Sequence, residues 1–261
     1  MPKIQLKSAS DISHLKESGL TLSEILKSLA TMLIPGTSGD KINKQAEILA
    51  KKHSARCSFF KFEGYPAHVC LSINNEVVHG FPFGKILREG DIVGLDLGID
   101  YKGFFTDAAV TKVIGNNKEN DFNKKQKLAR TAFQCLKRTQ KYCRPGYRLG
   151  DIGYAVQSLA EKRGFSVVKK LVGHGVGFSV HEEPCIPNYG NRGEGIRLKP
   201  GMVLAIEPML NAGTDEVVLD EEDSWTFRTA DGAISAHFEW TVAVTNREPI
   251  VLTPLDWMKK L

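Results

Sequence analysis

The feature that most restricts the fold is a resemblance of the chain to itself. Shifting the 261-residue sequence by 110 positions lays "IPGTSGDKINKQAEILAKKH" over "RPGYRLGDIGYAVQSLAEKR". Pro35 then falls on Pro145, Gly36 on Gly146, Ile42 on Ile152, Leu49 on Leu159, Ala50 on Ala160 and Lys52 on Lys162. A Pro-Gly turn followed by an apolar helical period is a supersecondary unit that cannot bury its face alone, so two copies are expected to pack against each other. Ahead of each copy lies a further amphipathic stretch. Apolar positions from Ile12 to Leu33 suit a helix broken or bent near Gly19. Phe122, Leu128, Ala132, Phe133 and Leu136 suit another, preceded by the polar bridge "GNNKENDFNKKQK". Strand-like runs follow both units. The reading is an α+β chain forming one domain over 1–261, with halves of approximately 10–115 and 120–253, sheets side by side, helices outside and a cleft between the halves.

Two strands of the first half carry an aspartate in their most apolar run. In "GLDLGIDYKGFFTDAAV", a turn at Tyr101 and Lys102 would place Asp96 directly opposite Asp107; Tyr-Lys-Gly is a weak primed-turn signal, and a one-residue slip or a bulge at Gly103 is the alternative. Like charges across a ladder destabilise it, and burying an unpaired carboxylate costs several kcal/mol, roughly, even after relaxation. A cation between them is one solution; two aspartates at exposed strand ends are another, and this segment alone leaves both open. Gly94 and Gly98 on the face of Asp96, with Ala109 after Asp107, leave room for a ligand there.

The second half supplies three further polar groups in apolar surroundings. In "GHGVGFSVHEEP", glycines at 173, 175 and 177 disfavour a helix and present His174 and His181 on backbone that can approach a ligand closely. Glu207 interrupts the apolar strand "GMVLAIEPML", and Glu239 alternates with Phe238 and Trp240 inside the strand "SAHFEWTVAVT". Four carboxylates are balanced by two divalent cations. One imidazole among oxygen ligands points to Mn²⁺, Fe²⁺ or Co²⁺, is compatible with catalytic Zn²⁺, and does not suit a structural zinc. Such a pair lowers the pKa of a shared water enough to supply hydroxide near neutrality, so hydrolysis is the expected use.

These residues and their order resemble the type I methionine aminopeptidases of the pita-bread group. The resemblance runs from about residue 10 to 253 through "NNEVVHGFP", "GDIVGLDLG", "GFFTDAAV", "GHGVGFSVHEEP", "LKPGMVLAIEPM" and "SAHFEWTVAVT". It implies the pita-bread fold, two pseudo-symmetric halves forming a central antiparallel sheet covered by helices. It also implies Asp96, Asp107, His174, Glu207 and Glu239 as ligands of two divalent metal ions, Asp107 and Glu239 bridging them, with Glu207 also moving a proton. His79 and His181 would face the substrate, one near the scissile amide and one stabilising the oxyanion. Phe59, Phe62, Tyr65, Cys70 and Trp225 would line a methionine pocket, whose aromatic walls suit a thioether. The implied reaction removes the initiator methionine from nascent chains with a small second residue. Phe62, Val180 and Trp240 depart from the family pattern, where tyrosine, a bulkier residue and histidine are usual, which bears on side-chain preference and tuning of the centre. No zinc-finger or Pro-rich arm is present in the resemblance, so recruitment through one is not expected.

Two other functions share parts of this pattern. A proline-specific aminopeptidase or prolidase has the same ligand set but usually an additional N-terminal domain, and only about 90 residues precede Asp96. A non-catalytic pita-bread binding module typically loses ligands, whereas all five stand here. The net charge of +5, from 35 basic and 30 acidic side chains, is too mild for a DNA-binding protein, though it permits weak attraction to RNA and hence to a ribosome. Five cysteines without C-x-x-C spacing read as free thiols in a reducing compartment. No apolar run reaches the roughly 20 residues of a membrane span, and a monomeric cytoplasmic enzyme is expected.

Overall fold

The computed structural model describes residues 4–115 and 120–260. Part of the polar bridge, 116–119, lies outside the described residues. The first half comprises α1 (Ala9–Ala30), α2 (Gly39–Lys52) and strands β1 (Arg56–Cys57), β2 (Cys70–Ile73), β3 (Glu76–Val78), β4 (Ile92–Tyr101) and β5 (Phe104–Val113). The second comprises α3 (Asn120–Thr139), α4 (Leu149–Lys162), β6 (Ser166–Val167), β7 (Gly173–Gly175), β8 (Glu182–Ile186), β9 (Val203–Ile206) and β10 (Met209–Asn211). It continues through β11 (Val217–Leu219), β12 (Phe227–Thr229), β13 (Ser235–His237), β14 (Trp240–Ala243) and β15 (Ile250–Val251).

The offset of 110 carries into the elements: α2 maps onto α4 and β1 onto β6, end for end. The backbone repeats with it. Gly36 and Gly146 have φ of 84° and 95°, the left-handed conformation that glycine adopts without steric cost. Each helix is amphipathic, and its apolar face packs into one large cluster that includes Leu22, Leu26, Ile42, Leu95, Leu128, Leu136, Ile152 and Phe238.

α1 is continuous, contrary to the break expected at Gly19. A Ser8–Asp11 capping box fixes its start. Gly19 permits close approach: a Cβ there would stand 2.2 Å from the Leu252 carbonyl oxygen. Ser18, beside it, bonds Thr106 Oγ1 at 2.8 Å and the Phe104 carbonyl at 3.1 Å, tying the helix to β5.

All strand pairing is antiparallel. β4 is central to one sheet, paired with β1, β2 and β5; the other main sheet runs β15-β14-β9-β7-β8. The two meet through a bridge between Ala109 and Glu239, with the Glu239 amide donating to the Ala109 carbonyl at 2.9 Å. Thr241 reinforces that seam, and Thr111 ties β5 to β13 of a smaller sheet, β13-β10-β6. Thr111 Oγ1 bonds both the carbonyl (2.5 Å) and the amide (3.0 Å) of His237, while Thr241 Oγ1 does the same for Asp107 at 2.8 and 2.9 Å. A fourth sheet, β11-β12-β3, joins the halves on another side.

Candidate metal centre

The hairpin takes the slipped register and not the one with the aspartates directly opposed. Tyr101 pairs with Phe104, so the turn is Lys102-Gly103, both at positive φ (55° and 85°), as a primed hairpin turn requires. Asp96 therefore opposes Ala109, and Asp107 opposes Gly98. The aspartates are diagonal neighbours on one face, still within reach of each other. The room expected at Gly98 is taken by the first half itself: a Cβ there would meet Ser58 Oγ at 2.3 Å and Phe59 Cε1 at 2.7 Å. Gly98 thus admits the Phe59 ring beside the carboxylates.

The two glutamates also sit differently from expectation. Neither Glu207 nor Glu239 is inside a strand; Glu207-Pro208 separates β9 from β10, and Phe238-Glu239 separates β13 from β14. Trp240 pairs with Ile206 and Met209 with His237, so the interruptions lie opposite each other where the chain passes from one sheet to the next. Phe238 N–H bonds the Pro208 carbonyl at 3.3 Å, and Asn188 Nδ2 bonds the Glu207 carbonyl at 2.9 Å. Both backbones are thereby fixed while both carboxylates turn inward.

His174 lies in β7 between two glycines. A Cβ at Gly175 would stand 2.2 Å from the Glu183 carbonyl oxygen, so only glycine lets β8 come this close. His174 Nδ1 is 2.8 Å from the Gly175 carbonyl and donates to it, which leaves the Nε2 lone pair facing Glu207 Oε1 at 3.7 Å. Donor atoms of Asp107, His174 and Glu239 all lie within 4.8 Å of one another. Asp96 and Glu207 complete the group in the same cleft, of about 610 Å³.

This cleft cannot be a resting place for bare charge. Asp96, Asp107 and Glu239 are buried, and Asp96 Oδ1, Asp107 Oδ1 and Glu239 Oε1 have no hydrogen-bond partner among the described residues. No lysine or arginine is among the described residues lining it. Burial, and then mutual repulsion, push the Asp96, Glu207 and Glu239 carboxyls well above the usual range; burial pushes Asp107 up to about 7. Crowded oxygens that no protein donor satisfies, with one imidazole lone pair among them, are a donor set that fits divalent cations.

The remaining expected residues converge here. Phe59, Phe62, Tyr65, Cys70, His79, His181 and Trp225 all line the cleft. His79 has φ of 59°, a strained conformation for a side-chain-bearing residue, and its ring meets Phe227 edge-on. Burial pushes His79 down to about 4, and loss of solvent where its ring packs against its neighbours lowers His181 although the residue as a whole is exposed, so both rings are neutral near pH 7. His181 packs against His174 (ring centroids 4.3 Å apart) and against the edge of Phe62 (5.2 Å). Tyr65 and Trp225 meet at 5.3 Å. The Tyr65 hydroxyl is used structurally, bonding the Val69 and Gly80 carbonyls at 3.2 and 3.1 Å. All five cysteines are free, and Cys185 is exposed.

One group at the centre escaped the sequence reading. His237 is 4% exposed, with Nε2 3.6 Å from Glu207 Oε2 and 4.0 Å from Glu239 Oε2. Its sequence signal was the two-residue spacing from Glu239, which puts both side chains on one face of extended chain.

Residues 13–246 match metallopeptidase family M24, and the chain belongs to that family. Within it, the chain is 42% identical over 251 residues to the methionine aminopeptidase of Clostridium perfringens, covering 96% of this chain and 98% of that one. It is 39% identical to methionine aminopeptidase 1 of Bacillus subtilis over 95% of this chain and 98% of the relative. The crystal structure of the Thermotoga maritima methionine aminopeptidase superposes with a TM-score of 0.92 at 39% identity, covering 96% of this chain and 99% of that one. Prolidase from Pyrococcus furiosus shares the fold, with a TM-score of 0.75 at 21% identity and 66% of its length matched. The pita-bread fold expected from the motifs is thus the fold of the chain.

Proposed function

We propose that this chain, as a single catalytic domain over 1–261, is a methionyl aminopeptidase that hydrolyses the bond after an N-terminal methionine when the second residue is small. The observation that carries this reading is the convergence, in one cleft, of five ligand side chains from both halves with two neutral histidines and an aromatic wall. Asp96, Asp107, His174, Glu207 and Glu239 would hold two divalent ions, Mn²⁺, Fe²⁺ or Co²⁺ with Zn²⁺ compatible. Bound there, such cations supply Lewis acidity and acidify water.

The chain's own groups do the rest. Phe59, Phe62, Tyr65, Cys70 and Trp225 take the methionine side chain, whose unbranched thioether adapts to aromatic faces. This sets the scissile amide beside His79 and His181. Neutral imidazoles there donate hydrogen bonds to the amide and to the developing oxyanion without adding charge to the resting site. Glu207, its backbone carbonyl fixed by Asn188, would take a proton from the attacking water on Oε1 or Oε2 and deliver it to the leaving amine, while the water's oxygen goes to the carbonyl carbon. The free α-amine of the substrate is the natural partner of the carboxylate cluster, which limits cleavage to chain ends.

The partners are then N-termini of nascent polypeptides, met in the cytoplasm by a monomer that associates weakly with ribosomes. Among the described residues no helix is long and apolar enough to cross a membrane. Release of methionine from Met-Ala-Ser with Mn²⁺ or Co²⁺, beside an Ala-Pro peptide and the Glu239→Ala variant, tests the assignment. Turnover of Met-Ala-Ser that Glu239→Ala abolishes is expected; cleavage of Ala-Pro alone would make the chain a proline-specific peptidase. Met-Gly and Met-Leu peptides cut equally well would refute the size rule.

A further inference from the structure

His237 is placed as firmly as any of the five ligands. Thr111 Oγ1 of β5 bonds both its amide and its carbonyl, at 3.0 and 2.5 Å, and so ties the end of β13 to the first main sheet. The ring therefore has a fixed origin, and at 4% exposure it has no route to solvent. Yet Nε2 has no hydrogen-bond partner among the described residues. A buried polar nitrogen without a partner costs roughly 1–3 kcal/mol, which a fold does not keep without a use for it.

The distances say what the use is. Nε2 stands 3.6 Å from Glu207 Oε2 and 4.0 Å from Glu239 Oε2, beyond the 2.7–3.2 Å typical of N–H···O bonds. They are the separation that His174 Nε2 keeps from the other oxygen of Glu207, 3.7 Å. Two donor atoms each about 2.1 Å from a shared cation lie on the order of 3–4 Å apart, depending on the angle. Glu207 thus has an imidazole nitrogen facing each of its oxygens at matching distance.

We propose that His237 Nε2 is a sixth ligand of the centre, sharing one cation with Glu207 and Glu239. This rests on the reading that the five side chains hold divalent ions. A second imidazole makes the centre richer in nitrogen than one histidine with four carboxylates. That moves its preference toward metals that favour imidazole, Co²⁺ and Zn²⁺ over Mn²⁺.

The test counts imidazoles on the metal directly. In Co²⁺-loaded protein, each coordinated histidine contributes one hyperfine-shifted, solvent-exchangeable ring N–H proton resonance. The full chain is expected to give two such resonances, His237→Gln one and His174→Gln one. Co²⁺ affinity measured by titration calorimetry should fall by about 10-fold or more in His237→Gln. A single resonance in the wild type that survives His237→Gln and disappears in His174→Gln would overturn the assignment, leaving His237 beside the metal and not on it. Absence of any shifted imidazole resonance despite folded protein would instead remove the metal-centre reading itself, and this proposal with it. Circular dichroism of the metal-free variants, with His237→Asn as a second substitution, separates loss of a ligand from loss of the fold.

Discussion

Replacing Asp107 by asparagine should stabilise the metal-free protein while destroying its response to metal. Asp107 is 3% exposed, and burial raises its carboxyl from the ordinary 3.8 to about 7. Each unit of pKa is worth about 1.4 kcal/mol, so holding this group ionised in the fold costs up to roughly 4 kcal/mol above pH 7. The sign follows from the direction. Because the folded state holds the proton more tightly than the unfolded chain, wild-type stability falls as pH rises from about 4 to about 7. The asparagine of the variant does not titrate, and its amide can donate to Asp96. The buried histidines act oppositely: His79 is pushed down to about 4 and His174 and His237 to about 3, so acid below about pH 6.5 favours the unfolded chain. They are present in both proteins, and their effect cancels in the difference. Urea denaturation after chelator treatment should therefore find Asp107→Asn more stable by about 2–4 kcal/mol at pH 8, with the gap closing toward pH 4. Mn²⁺ at about a thousandfold excess over Kd at pH 8 should close or reverse the gap, since wild type then gains about 4.1 kcal/mol and the variant little. A metal-free variant less stable than wild type at pH 8, or a gap independent of pH, would refute the picture of uncompensated buried carboxylates.

Lys7 and Glu182 form a buried ion pair, with side chains 1% and 6% exposed, and Glu182 also accepts the Phe178 and Ser179 amides at 2.6 and 3.1 Å. Lys7→Ala leaves that carboxylate unpaired beneath the loop carrying His181; a loss of about 3–5 kcal/mol is expected in urea denaturation. Gly19→Ala drives a methyl into the Leu252 carbonyl and should lower stability by about 1–3 kcal/mol or more, whereas a flexible bend at that position would have tolerated it. Trp225→Ala removes a wall of the methionine pocket, and kcat/KM for Met-Ala-Ser should drop roughly 10- to 100-fold, mainly through KM, as expected from about 1.5–3 kcal/mol of lost apolar contact.

Sequence alone determined what depends on local chemistry and chain-wide pattern. The repeat offset of 110 predicted that α4 would match α2, because a turn glycine and a 3.6-residue apolar period are written locally. It also singled out Asp96, Asp107, Glu207 and Glu239, because a carboxylate in an apolar run is anomalous before any contact is known. Tertiary structure decided the register, the breaks and the company each group keeps. The two-residue turn moved from Tyr101-Lys102 to Lys102-Gly103 because glycine relieves the positive φ there, and Asp107 moved from opposite Asp96 to opposite Gly98. Glu207 and Glu239 face the cleft because two strands break opposite each other while passing between sheets, a match between segments about 30 residues apart that no local pattern encodes. Gly19 reads as a helix breaker until Leu252 is seen against it, and His237 is not singled out until its nitrogen is found facing two carboxylates. Propensity is a property of neighbours along the chain; the charge density that calls for cations exists only where distant segments meet.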